Sequence, residues 1–262
     1  MKLTTFLTAA AFTGLLTHLT LAEVKTQAIE YKDGDTVLEG WLAYDDASKE
    51  PRPGVLVIHD WMGVAAYSKG RAEQLAQLGY VAFVADIYGK SVRPKDPQEA
   101  SAEAGKYKAD RALLRRRANA GLEQLRQQPL VKKDQLAAIG YCFGGTSVLE
   151  LARSGAELRG VISFHGGLDS PNPADGKNIK AKVLVLHGAD DPFVKPADIA
   201  AFQEEMRQAK VDRQMVYYGD AVHSFTHQHA GTDKSKGAAY QEAADRRSWE
   251  AMKDFFAEIF AK

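Results

Sequence analysis

Residues 136–147 read LAAIGYCFGGTS, an apolar run followed at once by a glycine-rich turn. The run has the length and composition of a buried strand, and the residues after the turn have helical spacing. Gly140 and Gly144 stand two residues before and two residues after Cys142. A tight strand-to-helix turn needs residues without side chains at those places, because the strand and the helix pass close to each other. The stretch therefore predicts a strand, a sharp turn centred on Cys142, and a helix.

Strand and helix signals alternate along most of the chain. Short apolar runs, typical of strands that are covered on both faces, occur at Gly54–His59, Tyr80–Ala85, Leu136–Tyr141, Gly160–Phe164, Lys182–His187 and Gln214–Tyr218. Segments with helical spacing occur at Ser68–Leu78, Lys106–Arg126, Ser147–Ala152, Ala197–Ala209 and Gln241–Phe260. This alternation predicts an α/β fold with a mostly parallel, doubly wound sheet.

The segment before the first of these runs has a different pattern. Lys25–Tyr31 and Thr36–Tyr44 alternate apolar and polar residues on either side of Lys32-Asp33-Gly34-Asp35, a hairpin turn signal. We therefore expect an N-terminal antiparallel ribbon. The chain has 262 residues and no internal repeat. That size is typical of a single α/β unit, so residues 23–262 are expected to form one domain.

The first 22 residues differ in composition from the rest. Lys2 gives a positive start, Leu3–Leu21 is apolar or small without an acidic residue, and Thr20-Leu21-Ala22 offers a cleavage site. This pattern predicts a signal peptide over residues 1–22 and a periplasmic or secreted protein. A membrane anchor fits less well, because threonines and His18 dilute the segment below the apolarity of a spanning helix. After cleavage, no stable membrane association is expected.

The charge balance points to a small-molecule partner. Lys plus Arg (34) equal Asp plus Glu (34), so no net field attracts nucleic acid or an anionic membrane. The run Arg115-Arg116-Arg117 could suggest an anion site. It flanks an apolar helical stripe that includes Leu114 and Leu122, so we interpret the arginines as a solvated helix face.

Cys142 is the only cysteine of the chain and cannot form an internal disulfide. A small buried apolar side chain is the ordinary explanation for a free cysteine. The flanking glycines instead favour a nucleophile held on an elbow. The start of the following helix would stabilise a thiolate, and the Phe143 N–H would face an oxyanion. The loop after the strand at Gly54–His59 should supply a second N–H donor, for which Trp61 is the candidate.

On an elbow of this kind an acid and then a histidine follow the nucleophile along the chain. Asp190 and Asp191 end the strand-like run at Lys182–His187. Asp191 is preferred as the acid because it stands three residues after Gly188 and three before Val194. Asp190 is the alternative, and helix capping could explain either aspartate.

His223 follows the last apolar run and precedes the final helix, where an imidazole could take a proton while Asp191 fixes its tautomer. His59, His165 and His187 also lie at strand ends, but their order or position fits a base less well, and we interpret them as structural. A zinc site is a further alternative, built from the spacing of His223, His227 and His229. That spacing lacks a fourth ligand.

Four blocks of the sequence resemble the dienelactone hydrolase family. They are Gly79–Val81 leading into Ala85–Gly89, Gly140–Gly145, Gly188–Val194 and Tyr218–Phe225, and the similarity extends from about Gly40 to the C-terminal helix. The resemblance implies an α/β-hydrolase fold and hydrolysis of a small carboxylic ester or lactone through a thioester, without a metal or organic cofactor. It also implies that Cys142, Asp191 and His223 form the triad, with the Trp61 and Phe143 N–H groups as the oxyanion hole.

Three positions depart from the pattern of family members that act on dienelactone. Asp60 stands where those members have a glutamate before the first oxyanion donor, and it is a candidate partner of the resting thiol. Lys90 and His227 stand where arginines hold the substrate carboxylate, and they are candidate substrate-binding residues. The substrate therefore stays open. An acyl-transferase or peptidase on the same triad and a noncatalytic binding protein are the alternatives.

Overall fold

An eight-stranded sheet runs through the structure, a computed structural model that describes residues 23–261. The strands are β1 (Val24–Asp33), β2 (Thr36–Asp45), β3 (Arg52–Ile58), β4 (Val81–Ala85), β5 (Val131–Tyr141), β6 (Gly160–Phe164), β7 (Lys182–Gly188) and β8 (Arg213–Tyr218). Their order in the sheet is β1-β2-β4-β3-β5-β6-β7-β8. The predicted signal peptide, residues 1–22, lies outside the described residues.

Strands β3 to β8 are parallel, and their apolar composition follows from burial on both faces. Every residue of β4 and of β6 is buried. Strand β3 pairs with β4 on one side and with β5 on the other, so the direction of winding reverses at the β3/β5 pair. In open α/β sheets, ligands bind beyond the carboxyl ends of the strands at such a reversal.

The N-terminal ribbon joins the parallel sheet at one edge. β1 and β2 pair in antiparallel register from Val24 opposite Asp45 to Asp33 opposite Thr36, around a turn in which Gly34 has a φ of +58°. β2 also pairs antiparallel with β4. The structure thus confirms the predicted fold class, a mostly parallel, doubly wound sheet with an N-terminal antiparallel ribbon.

Six α-helices cover the two faces of the sheet. They are α1 (Ala66–Gln77), α2 (Pro97–Ala109), α3 (Arg111–Arg126), α4 (Phe143–Arg153), α5 (Pro196–Gln208) and α6 (Glu242–Ile259). One apolar cluster contains buried residues of α2, α3, α4 and α5, and a second contains buried residues of α1 and α6. The sheet therefore separates two cores, one on each face.

The single helix predicted over Lys106–Arg126 is wrong. The structure has two helices there, because Asp110 leaves the helical conformation with φ −116° and ψ 84° and its carboxylate accepts a hydrogen bond from the Leu113 N–H at 2.9 Å. Asp110 thus caps α3. The preceding helix, α2, begins with Pro97 and is capped in the same way by Asp96.

The arginine run of α3 is only partly solvated, so the interpretation as a solvated face is wrong for two of its three members. The Arg117 side chain is buried and lies 3.0 Å from the Asp33 carboxylate. Arg115 lies 2.8 Å from the Glu150 carboxylate, whereas the Arg116 side chain is exposed. Arg115 and Arg117 are drawn from solvent because α3 packs against both β1 and α4, which present the acidic partners Asp33 and Glu150.

Helix α4 is buried along its whole length, so its charged residues need partners inside the protein. Arg153 donates two hydrogen bonds to the Glu205 carboxylate of α5, at 2.9 and 2.7 Å, and one to Glu150 at 2.9 Å. Neither Arg153 nor Glu150 is exposed at all. The three side chains tie α4 to α5 and satisfy one another.

Arg153→Ala should destabilise the fold by ~3–5 kcal/mol, because it leaves the buried Glu205 carboxylate without its cation, whereas Glu150 keeps Arg115. Urea unfolding followed by circular dichroism measures the loss. Arg207→Ala is the matched control on α5, since Arg207 pairs with Glu204 in an exposed position, and its unfolding midpoint should stay near that of the unaltered protein. Equal losses in the two variants would contradict the assignment.

Candidate active site

Cys142 lies between β5 and α4 with a φ of +55° and a ψ of −113°, a conformation that is strained for any residue but glycine. The adjoining glycines make the turn possible. A Cβ on Gly140 would lie 2.0 Å from the Gly144 carbonyl oxygen, and one on Gly144 would lie 2.1 Å from the Ile58 carbonyl oxygen. The start of α4 therefore sits directly against the end of β3.

The structure brings Cys142, His223 and Asp191 together from three separate places in the chain. His223 Nε2 lies 3.0 Å from Cys142 Sγ, and His223 Nδ1 lies 2.8 Å from Asp191 Oδ2. The other carboxylate oxygen of Asp191 accepts a hydrogen bond from the Phe193 N–H at 2.9 Å. Asp190 is exposed, and its own N–H donates to the Ala221 carbonyl. Of the two candidate acids, only Asp191 contacts the imidazole.

The pKa of His223 reflects two opposing effects. Burial lowers it, but the neighbouring Cys142 thiolate and Asp191 carboxylate together outweigh burial and raise the pKa to about 10. The raised pKa favours a protonated His223, whose Nε2–H faces the Cys142 sulfur.

The two candidate oxyanion donors follow the ends of adjacent strands. Phe143 is the first residue of α4, after β5, and Trp61 lies in the turn after β3. Within residues 23–261, neither backbone N–H has a protein acceptor. Both groups are available to a substrate oxygen.

The structure does not bring Asp60, the predicted partner of the resting thiol, to Cys142. Its side chain folds back on its own turn, where Oδ1 accepts a hydrogen bond from the Met62 N–H at 2.8 Å. Oδ2 lies 3.6 Å from His227 Nε2. An aspartate is one methylene shorter than a glutamate, which favours this local contact over a more distant one. Burial raises the pKa of Asp60 to about 6.

The two predicted substrate-binding residues have different surroundings. His227 stacks on Tyr67 at 4.2 Å and faces Asp60, so it lies beside the Trp61 turn. Burial, with smaller effects from nearby cations, lowers the pKa of His227. The Lys90 ammonium instead pairs with Glu30 and Glu39 on the N-terminal ribbon. The Lys90 ammonium is therefore paired and is not free to bind a substrate anion.

His59 has a structural role and His165 has a further contact. His59 Nδ1 lies 2.5 Å from the Asp60 carbonyl, and its Nε2 accepts a hydrogen bond from the Ile87 N–H. Burial lowers the pKa of His59 to about 4. His165, which the sequence analysis interpreted as structural only, accepts a hydrogen bond from the Cys142 N–H. The signal for this contact is the position of His165 directly after β6, the neighbour of β5.

Within residues 23–261, no group of three or more His, Cys, Asp or Glu side chains has an arrangement that could hold a metal ion. None of the helices in this range combines the length and the apolarity needed to cross a bilayer.

Asp60→Asn should change the pH dependence of stability. The Asp60 pKa is raised from about 3.8 to about 6, so the folded protein binds more protons than the unfolded chain between these pH values. Its free energy of unfolding therefore falls as pH rises from about 4 to about 6. Asparagine keeps the oxygen that accepts from the Met62 N–H but has no carboxyl to ionise, so its free energy of unfolding should not fall in this way. Above pH 6 the variant should be more stable than the unaltered protein by an amount on the order of 2 kcal/mol.

Urea unfolding at pH 4, 5, 6 and 7 measures the effect of Asp60→Asn. Asp134→Asn is the control, because the Asp134 side chain is exposed. Its stability should follow that of the unaltered protein at every pH. If the free energies of unfolding of Asp60→Asn and of the unaltered protein changed in parallel with pH, the pKa of the Asp60 carboxyl would not be raised by folding.

Comparison with known proteins identifies relatives that share this arrangement of elements. The dienelactone hydrolase family model matches residues 38–260. A probable 2-oxo-3-(5-oxofuran-2-ylidene)propanoate lactonase of Bradyrhizobium is 27% identical over 236 residues, which cover 86% of this chain and 92% of the relative. A putative carboxymethylenebutenolidase of Salmonella typhimurium is 25% identical over 240 residues, covering 86% and 84%.

Solved structures agree with these sequence relatives. The crystal structure of P91, a dienelactone hydrolase-like promiscuous phosphotriesterase from metagenomic libraries, superposes with a TM-score of 0.87 and 43% identity. The match covers 91% of this chain and 99% of P91. The family match spans β3 to β8, the elbow and the loops that surround Cys142. The chain is therefore a carboxylic-ester hydrolase of the dienelactone hydrolase family, with the α/β-hydrolase fold.

Proposed function

We propose that the protein hydrolyses small carboxylic esters or lactones through a thioester on Cys142. The observation that carries this proposal is the continuous contact from the Cys142 sulfur through the His223 imidazole to the Asp191 carboxylate. These three groups lie beyond the carboxyl ends of the strands, where α/β folds bind their ligands. The family membership supports the same reaction class.

In the first step the Cys142 thiolate attacks the carbonyl carbon of the ester. A C–S bond forms, and the negative charge moves to the carbonyl oxygen, which accepts hydrogen bonds from the Trp61 and Phe143 N–H groups. The C–O bond to the alcohol then breaks as the protonated His223 gives its Nε2 proton to the leaving oxygen. A thioester and a free alcohol result; for a lactone, the alcohol stays attached to the acyl group.

In the second step water replaces the sulfur. Neutral His223 takes a proton from water as the water oxygen attacks the thioester carbon, and the same two N–H groups hold the oxyanion. The C–S bond breaks and the acid is released. Asp191 holds His223 Nδ1–H throughout, so Nε2 stays directed at the sulfur. The N-terminus of α4 stabilises the thiolate between turnovers.

We infer that uncharged substrates are preferred. A substrate carboxylate needs a free cation, but the Lys90 ammonium is paired with Glu30 and Glu39. Of the two predicted anion ligands, His227 is the one that lies beside the Trp61 turn. The lowered pKa of His227 favours its neutral form. The buried Asp60 carboxyl beside it would repel an anion once ionised.

Phosphotriesters are a second candidate substrate class. P91, which is named as a promiscuous phosphotriesterase, is 43% identical and spans almost the same residues. Such substrates are also uncharged, in agreement with the surroundings of Lys90 and His227. An acyl-transferase or peptidase would use the same three side chains with another acceptor or acyl group.

Residues 1–22 are proposed to direct export and to be removed, so that the mature protein starts at Glu23 and acts in the periplasm or outside the cell. The proposal rests on Lys2, on the apolar segment that follows it and on the small residues around Ala22. Residues 23–262 are proposed to act as one catalytic domain, because the described part of them contributes to one sheet.

Cys142→Ala should lower kcat/KM for p-nitrophenyl esters by ~10⁴-fold or more, because the nucleophile is removed. His223→Ala should cause a comparable loss. His187→Ala is the matched control, since His187 is a buried histidine near the end of β7 and makes no hydrogen bond to Cys142 within residues 23–261. Retained turnover in Cys142→Ala would sink the mechanism, and mass spectrometry of the quenched enzyme should find the acyl group on Cys142.

Uncharged lactones should be better substrates than lactones of the same size that carry a carboxylate, by about tenfold or more in kcat/KM, because neither Lys90 nor His227 offers a free cation to the carboxylate. The measurement is a matched pair of substrates at pH 7.5. Lys90→Ala should leave both values nearly unchanged. A selective loss for the charged substrate in that variant would show that Lys90 leaves Glu30 to bind it, and the preference would have to be withdrawn.

A further inference from the structure

His165 uses both ring nitrogens, and each contacts a different part of the site. Its Nδ1 accepts a hydrogen bond from the Cys142 N–H at 3.2 Å. The same N–H also donates to the Phe164 carbonyl at 3.0 Å. Its Nε2 lies 2.8 Å from Thr226 Oγ1. Thr226 stands three residues after His223, on the same loop. One imidazole therefore bridges the nucleophile and the loop that carries the base.

The direction of these hydrogen bonds follows from the backbone. An amide N–H can only donate, so His165 Nδ1 must be the acceptor and must lack a proton. In a neutral imidazole the proton is then on Nε2, which donates it to the Thr226 hydroxyl. Burial, and to a lesser extent the neighbouring His223, holds the pKa of His165 well below its usual range. A protonated ring would place an N–H against the Cys142 N–H and break the bridge.

Thr226 is itself held firmly. It is buried, its hydroxyl hydrogen-bonds the Tyr67 hydroxyl at 2.5 Å, and its carbonyl accepts from Arg71 at 2.8 Å. Arg71 is paired in turn with Asp245 of α6 at 2.6 Å. Thr226 thus docks the loop on α1, while His165 connects the same hydroxyl to the elbow.

The loop needs such anchors because it is long and locally strained. It runs from the end of β8 at Tyr218 to the start of α6 at Glu242, without a strand or an α-helix. Ser224, next to His223, has a φ of +57°. The backbone of His223 is held by Gly237 and Ala239, but those residues belong to the same loop. The contacts of Thr226 reach outside it.

We propose that His165 and Thr226 are positioning residues that set the separation between the Cys142 sulfur and the His223 imidazole. This inference rests on the proposed function, in which that separation governs proton transfer and thiolate stabilisation. Cys142 and His223 are 81 residues apart in the chain. A bridge from the Cys142 N–H through His165 to Thr226, three residues after His223, constrains their separation more directly than the packing of the surrounding core does.

Thr226→Val tests the bridge, because valine keeps the shape of threonine and removes the hydroxyl. We expect kcat for p-nitrophenyl esters to fall by about tenfold or more with little change in KM, since an error of ~1 Å in a reacting pair has effects of this size or larger. Alkylation of Cys142 by iodoacetamide at pH 7 should slow by a similar factor, because a displaced His223 stabilises the thiolate less. Thr226→Ser keeps the hydroxyl and should restore both rates.

Two further variants separate positioning from general damage. Tyr67→Phe removes the other partner of the Thr226 hydroxyl but leaves the His165 bridge and the contact of Arg71 with the Thr226 carbonyl, so kcat and alkylation should fall clearly less than in Thr226→Val. His165→Asn can still accept from the Cys142 N–H but is too short to reach Thr226, so it should slow alkylation as Thr226→Val does. His165→Asn also provides the test if Thr226→Val does not fold.

The outcomes for this inference and for the proposed function are distinguishable. Unchanged alkylation and kcat in Thr226→Val, or equal losses in Thr226→Val and Tyr67→Phe, would overturn the positioning role. An active Cys142→Ala would instead overturn the proposed mechanism. The alkylation comparison would still report whether the bridge positions His223, because it does not depend on ester hydrolysis.

Discussion

The close approach of three strands at the elbow is the constraint on which the site depends. Gly144 leaves no room for a Cβ against the Ile58 carbonyl at the end of β3, and Gly145 leaves little room against Ser163 of β6. The start of α4 is therefore wedged between the ends of both neighbours of β5. The residues that follow those ends, Trp61 after β3 and His165 after β6, are brought to Cys142 by the same packing. The elbow thus places the groups around Cys142 as well as Cys142 itself.

A second constraint is electrostatic. A largely buried imidazole is charged only where anions compensate the loss of water, and here Cys142 and Asp191 lie on its two nitrogens. The Phe193 N–H holds the second oxygen of Asp191, which keeps that carboxylate aligned with the ring. His165, only 5.3 Å from His223 between ring centroids, is kept neutral by burial and by the hydrogen bond it accepts. A second positive charge there would oppose the first.

The sequence predicted the features that short-range rules control. Apolar runs identified the parallel strands, because strands that are buried on both faces carry apolar residues on both sides. Glycine spacing identified the turn at Cys142, chain order pointed to His223, and the spacing from Gly188 and Val194 favoured Asp191 over Asp190. The break at Asp110 was missed although an aspartate cap is a local signal. The surroundings of Lys90 could not be predicted, because its partner Glu30 is 60 residues away and is selected by the docking of the ribbon. The double contact of His165 has the same origin, since Thr226 is 61 residues away.

Asp60 is one methylene shorter than the glutamate of the pattern that the sequence resembles, and its carboxylate contacts its own turn. A carboxylate that reaches back to the Met62 N–H forms a local Asx turn and stiffens the segment that presents the Trp61 N–H. The other oxygen of the Asp60 carboxylate lies 3.6 Å from His227 Nε2, and burial lowers the pKa of His227 and raises that of Asp60. In the described residues the side chain that hydrogen-bonds the Cys142 sulfur is His223, and the Asp60 carboxylate instead holds the backbone of its own turn.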